Sequence, residues 1–104
     1  MLKIYGSEMC SDCRNCKLNF DHYGIEYQFL DVCKSLRYLS EFLFLRDTDP
    51  VFDRLKAIHD IGLPGIVKED GTVFTDWEDY LQEKGLPVIG SGEGAACSID
   101  HKGC

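Results

Sequence analysis

Three of the six cysteines in this 104-residue chain fall within seven positions, at Cys10, Cys13 and Cys16, while Cys33 stands alone and Cys97 and Cys104 lie near the C-terminus. Cys10-Ser11-Asp12-Cys13 spans a stretch that patterns as a loop running into a helix. A thiol at such a junction meets the first unpaired helical N–H groups and the positive end of the helix dipole, both of which favour its thiolate. Cys10 is therefore the candidate nucleophile. Two intervening residues let Cys13 turn back to bonding distance, so a mixed disulfide on Cys10 can be resolved within the chain by Cys13.

A second chemistry is open to the same residues. The run Cys10, Cys13, Cys16 has the spacing of a zinc or iron–sulfur ligand set, with a fourth ligand from Cys33, Cys97, His101 or Cys104, which would make the chain a metal or cluster carrier. A catalytically silent interaction module is the third reading. Cys16 reads most simply as a core thiol and more sharply as an accessory redox group. Cys97 and Cys104 are separated by six residues after a glycine-rich stretch and lie beside His101 and Lys102, so they read as an accessory redox pair able to exchange electrons with Cys10 and Cys13. Glu8 and Asp12 flank Cys10, and their negative charge is expected to raise its pKa and lean the pair toward the reducing end.

The elements that must position these thiols follow from periodicity. Leu2-Lys3-Ile4-Tyr5 reads as a strand closed by Gly6, and Cys13, Cys16, Phe20 and Tyr23 form one stripe of a helix capped near Gly24. Tyr27 to Val32 reads as a second strand, parallel to the first through a right-handed crossover. Helical spacing returns over 35–46 and 51–60, with Asp49-Pro50 opening the latter. Ile66 to Phe74 reads as a hairpin about Asp70-Gly71, and Thr75 with Glu78 predicts a capping box for a last helix carrying Trp77, Tyr80 and Leu81.

Composition bounds the rest. With 44% hydrophobic residues the chain can bury one core, and at this length one domain is expected, over 1–86, followed by a flexible glycine-rich tail over 87–104 that carries two cysteines. A net charge of −7 argues against nucleic acid and anionic membranes as partners, and the absence of any long apolar run predicts a cytoplasmic protein.

The chain resembles the glutaredoxin-type members of the thioredoxin-fold family. The resemblance rests on Cys10, Cys13, Cys16 at the small position, Lys17, Phe20 and the stretch Gly24-Ile25-Glu26-Tyr27-Gln28-Phe29-Leu30-Asp31-Val32, which match the family pattern without a gap. Gly62-Leu63-Pro64 falls at the family's cis-proline turn. The resemblance implies a four-stranded mixed sheet flanked by helices, a dithiol–disulfide oxidoreductase with Cys10 and Cys13 catalytic, and a substrate groove shaped by Leu63, Pro64 and Asp76. It implies a disulfide-containing protein as substrate, thioredoxin reductase or glutathione as electron donor, and no metal or other cofactor. Glu8 or Ser7, Asp12, Gly62 and Thr75-Asp76 stand where glutaredoxins carry their glutathione-binding residues, so the cationic grip is missing and glutathione is expected to be at most a weak co-substrate.

Overall fold

The computed structural model describes residues 1–90, so Cys97, His101, Lys102 and Cys104 lie outside the described residues. Strand β1 (Leu2–Gly6) leads through a short loop into helix α1 (Ser11–His22), and β2 (Tyr27–Asp31) returns beside β1. Helix α2 (Leu36–Thr48), a 3-10 turn (Pro50–Phe52) and the single-turn helix α3 (Asp53–Ala57) precede β3 (Gly65–Val67), β4 (Val73–Phe74) and α4 (Trp77–Glu83). The sheet order is β2-β1-β3-β4. β1 pairs in parallel with β2, placing Ile4 against Phe29, and antiparallel with β3, placing Ile4 against Ile66, while β3 and β4 close the antiparallel hairpin. This is the mixed four-stranded α/β arrangement of thioredoxin-like folds expected from the sequence.

The central strand explains the layering. Strand side chains alternate between faces, so Leu2 and Ile4 join Cys16, Phe20, Ile66, Trp77 and Leu81 in one cluster, which α1 and α4 cover. Tyr5 points the other way and joins Leu30, Val32, Phe42 and Phe52 under α2 and the 3-10 turn. Phe42 and Phe52 meet edge to face at 5.7 Å, a favoured aromatic geometry. Two cores on opposite faces of one strand hold the end of β1, and hence the start of α1, from both sides.

Most element ends are where their cap chemistry places them. Ile25 N–H donates to the Phe20 carbonyl at 2.9 Å and Gly24 N–H to that of Asp21 at 3.2 Å, closing α1 in a Schellman-type end. Asp49 accepts from Val51 N–H at 3.0 Å, as the Asp-Pro signal predicts. The helical segment that follows is shorter than the expected 51–60. Asp60 N–H reaches the Leu55 carbonyl at 2.8 Å and His59 sits at φ +63°, a left-handed terminator filled here by a residue other than glycine. Placing an L-residue there costs about 1–2 kcal/mol, and glycine returns about 0.4–1 kcal/mol of that as unfolded-chain entropy. Exposed His59→Gly is therefore expected to stabilise the fold by about 0.5–1 kcal/mol, read as a higher urea midpoint at unchanged slope.

The capping box at Thr75 is not formed. Asp76 occupies the cap of α4 and makes no side-chain cap bond, while the Thr75 carbonyl accepts from Trp77 N–H at 3.1 Å. Backbone contacts also continue past residue 86, since Tyr23 hydrogen-bonds the Pro87 carbonyl and Asn19 pairs with Ile89. No helix among the described residues is long and apolar enough to cross a membrane.

Candidate functional site

Cys10 is the N-cap of α1. Its backbone is extended (φ −96°, ψ 118°), and its Sγ accepts the Cys13 N–H at 3.4 Å, taking the place that a serine or aspartate oxygen fills in an ordinary cap. Cys10 is half-buried, whereas Cys13 and Cys16 are fully buried; these three and exposed Cys33 are free thiols. The Cys13 thiol donates to Cys10, and this bond, with the Cys13 and Asp12 N–H groups, outweighs burial and the Asp12 charge and brings Cys10 down to about 6. The same bond pushes Cys13 far up, with burial adding to it. Burial foremost, then the Asp12 charge, raises Cys16. Asp12 raises the Cys10 pKa, as its charge predicts, but is outweighed, and Glu8 is engaged by Lys17.

Room for this pair comes from Gly6. A Cβ there would stand 2.9 Å from Cys13 Sγ and 3.1 Å from the Phe29 ring, so the last residue of β1 must lack a side chain for the second thiol to sit against it. Gly6→Ala is expected to cost about 1–3 kcal/mol as overpacking and to raise the Cys10 pKa by displacing its donor. Chemical denaturation and the pH dependence of thiol alkylation read the two effects separately.

Beside the motif lies a cleft of about 150 Å³ lined by Asp12, Arg54, Leu55, Asp60, Gly62, Leu63, Thr75, Asp76 and Glu78. It brings together Leu63 and Asp76, two of the three residues expected to shape a groove, with Asp12 from between the cysteines. The third, Pro64, follows a cis peptide bond from Leu63 and is buried beneath the surface. Four carboxylates face one guanidinium here. Burial raises Glu78, with the Asp12 charge next, and burial followed by a hydrogen bond that protonated Asp76 donates to Asp79 raises Asp76, against which the Arg54 charge works.

Three features of this region escape the sequence reading. Arg54, on an exposed turn of α3, brings a guanidinium to the cleft. Trp77 donates its indole N–H to Asp12 Oδ1 at 3.1 Å, tying the start of α4 to the motif. Asn19, fully buried, uses its amide twice on one residue, accepting from Ile89 N–H at 2.7 Å and donating to the Ile89 carbonyl at 2.9 Å. A polar residue inside the apolar stripe of α1 was the available signal for Asn19. Trp77 and Arg54 carried none, because their partners are distant in sequence. Trp77→Phe keeps the buried ring and removes only the donor, so a loss of about 0.5–1.5 kcal/mol is expected, or 1.5–3 if the bond to a charged acceptor counts in full; denaturation of the reduced protein measures it.

Among the described residues no three histidine, cysteine or acidic side chains are grouped to hold a metal ion. The ligand set considered from sequence would therefore need Cys97, His101 or Cys104, which lie outside the described residues. The accessory roles considered for Cys97 and Cys104 lie outside them as well.

What the described arrangement can do chemically is narrow: one accessible, readily ionised sulfur and one buried, firmly protonated sulfur share a hydrogen bond at a helix start. No protein-family model matches the chain. A crystal structure of a glutathione S-transferase from Xanthobacter autotrophicus aligns with 92% of this chain at 18% identity and a TM-score of 0.49, and the chain spans 43% of that protein's length. An uncharacterized protein of Haemophilus influenzae is 30% identical over 73 residues, covering 70% of this chain and 85% of its own. With that identity over most of both sequences, the chain belongs to the same family as the Haemophilus influenzae protein.

Proposed function

We propose that the chain is a glutaredoxin-like thiol–disulfide oxidoreductase in which Cys10 attacks and Cys13 resolves. The observation that carries this reading is the opposed proton affinity of the two thiols, Cys10 drawn down to about 6 and Cys13 pushed up by the same hydrogen bond. The Cys10 thiolate attacks one sulfur of a substrate disulfide, forming a mixed disulfide and releasing the other substrate sulfur as a thiolate that takes a proton from solvent. Once Cys10 has lost its charge, Cys13 no longer has an anion to hydrogen-bond, so the cause that raises its pKa is relieved. Its thiolate then attacks Cys10 Sγ, releases the second substrate thiol and leaves a Cys10–Cys13 disulfide.

The cleft supports a protein disulfide as substrate, an extended segment lying along the Leu63 backbone beside the motif. It supports glutathione less well, because a tripeptide bearing two carboxylates meets Asp12, Asp60, Asp76 and Glu78 with only Arg54 opposite. Electrons then come from thioredoxin reductase in preference to glutathione. The test is reduction of insulin disulfides by the protein with each donor in turn. Turnover with a thioredoxin reductase and little with glutathione is expected; no insulin reduction with either donor or with dithiothreitol overturns the oxidoreductase reading. Arg54→Ala should lower the remaining glutathione-dependent rate through KM more than through kcat. Glutathione turnover that exceeds the reductase-driven rate would overturn the donor assignment.

A further inference from the structure

We propose that Met9 is a specificity-determining residue, an apolar contact beside the nucleophile that selects protein disulfides whose half-cystine is flanked by an apolar side chain. This inference rests on the dithiol reading above and adds to it which half-cystines the Cys10 thiolate attacks best. Met9 directly precedes Cys10 and is 79% exposed, so its thioether stands in solvent next to the residue that a substrate must approach. A single exposed apolar side chain is ordinary on a protein surface. What sets this one apart is how firmly the backbone that carries it is held.

Each residue of the loop before Cys10 is fixed by a bond. Ser7 is only 3% exposed; its hydroxyl accepts the Met9 N–H at 3.1 Å and its carbonyl accepts the Cys10 N–H at 3.1 Å. Glu8 is gripped twice from α1, its carbonyl accepting from the Arg14 guanidinium at 2.6 Å and its carboxylate pairing with Lys17. Arg14 and Lys17 are three residues apart and so share one face of the helix, which lays the loop onto the first turns of the element that Cys10 caps. The side chains of Ser7 and Glu8 are thus committed to the loop itself, and that of Met9 is left to meet a partner. A side chain carried on so constrained a backbone loses little loop freedom when it is covered, and more of its apolar contact is realised as affinity. Its unbranched, polarizable thioether adapts to apolar partners of several shapes, so the selection is for apolar character and not for one residue. Met9 does not line the cleft that holds Asp12, Leu63 and Asp76. A segment lying in that cleft therefore meets Met9 with a different part of itself, and the preference falls on one flank of the half-cystine.

The experiment uses the full chain, reduced and freed of reductant, mixed with short peptide disulfides that carry leucine or serine beside the half-cystine, on one flank and then on the other. Oxidation of the protein is followed by acid quench and mass spectrometry. On one flank the leucine peptide is expected to react about three- to tenfold faster than the serine peptide, as partial cover of a leucine side chain allows. Met9→Ser should bring that ratio to about one, because the variant and the peptide together close a cycle that isolates the contact. Met9→Leu should keep the ratio, and in both variants the pH midpoint of Cys10 alkylation should stay near 6. Equal rates for the two peptides on both flanks in the unmodified protein, or a leucine preference that survives Met9→Ser, overturns the role of Met9 and leaves the dithiol reading intact. A midpoint that moves in Met9→Ser overturns it as well, since the loss then belongs to the thiol and not to the contact. If neither the peptides nor hydroxyethyl disulfide oxidise the unmodified protein, the dithiol reading itself is overturned.

Discussion

Cys10→Ser should abolish insulin reduction, a loss of at least about three orders of magnitude, because a serine hydroxyl at the same cap has no accessible anionic form near neutral pH. The fold should survive: serine is itself a preferred N-cap and can accept the Cys13 N–H that Cys10 Sγ now accepts. Cys13→Ser gives a different result under the same conditions. Its Cys10 still attacks, the product cannot be resolved from position 13, and a mixed disulfide with substrate accumulates, visible as a mass adduct that dithiothreitol removes. The two variants together assign the roles. Adduct formation by Cys10→Ser with a silent Cys13→Ser would reverse them, which the burial of Cys13 against Gly6 argues against.

How much of this could be read without the structure depends on the distance over which each feature is made. The β1-α1-β2 unit is written in local periodicity and in a cap and terminator a few residues from each helix end, and it appears where Leu2, Cys13 and Tyr27 place it. The 69–71 turn is equally local: the Lys68 carbonyl accepts from Gly71 N–H and Gly71 takes φ +91°, as a glycine-closed hairpin loop requires. The capping box failed because a tertiary contact prevailed over a local one: Trp77 is 2% exposed and held by Asp12, 65 residues away, and α4 begins where that packing sets it. His59 hid the end of α3 because left-handed terminators are read from glycine and asparagine.

The candidate site divides in the same way. The thiols and the Leu63-Pro64 turn were legible as types and spacings. Their electrostatics were not, because counting charges near Cys10 gave Glu8 and Asp12 full weight. In the fold Glu8 is paired with Lys17, and Asp12 acts against a larger opposing cause, the hydrogen bond from the Cys13 thiol. That bond is set by the turn at the start of α1, which no count of nearby charges contains. Arg54 belongs to this class too, since it lies far from the motif in sequence yet lines the cleft with Leu63 and Asp76.

The pH profile of Cys10 is the second large effect, and its midpoint is more informative than its height. With a pKa of about 6, Cys10 reactivity toward iodoacetamide or a small disulfide should rise with pH, reach half its maximum near pH 6 and stay flat above about pH 7. An ordinary thiol, with a pKa of about 8.5, would still be rising there. At pH 7 the thiolate fraction is roughly thirtyfold that of an ordinary thiol. Nucleophilicity falls with basicity, however, at a Brønsted slope of about 0.4–0.5, so about 2.5 units of lowered pKa returns roughly tenfold of that gain. The net advantage in thiol–disulfide exchange is therefore only about threefold at pH 7 but grows to more than tenfold near pH 5.5, where an ordinary thiol is almost wholly protonated. Asp12 raises the Cys10 pKa, so Asp12→Asn should move the midpoint below 6 while an amide oxygen keeps the Trp77 bond. Cys13→Ala removes the largest lowering cause and should move the midpoint up. A midpoint near 8.5 in the unmodified protein, or no upward shift in Cys13→Ala, would show that the shared hydrogen bond does not set the acidity of Cys10, and the division of labour between the two thiols would have to be sought in their exposure alone.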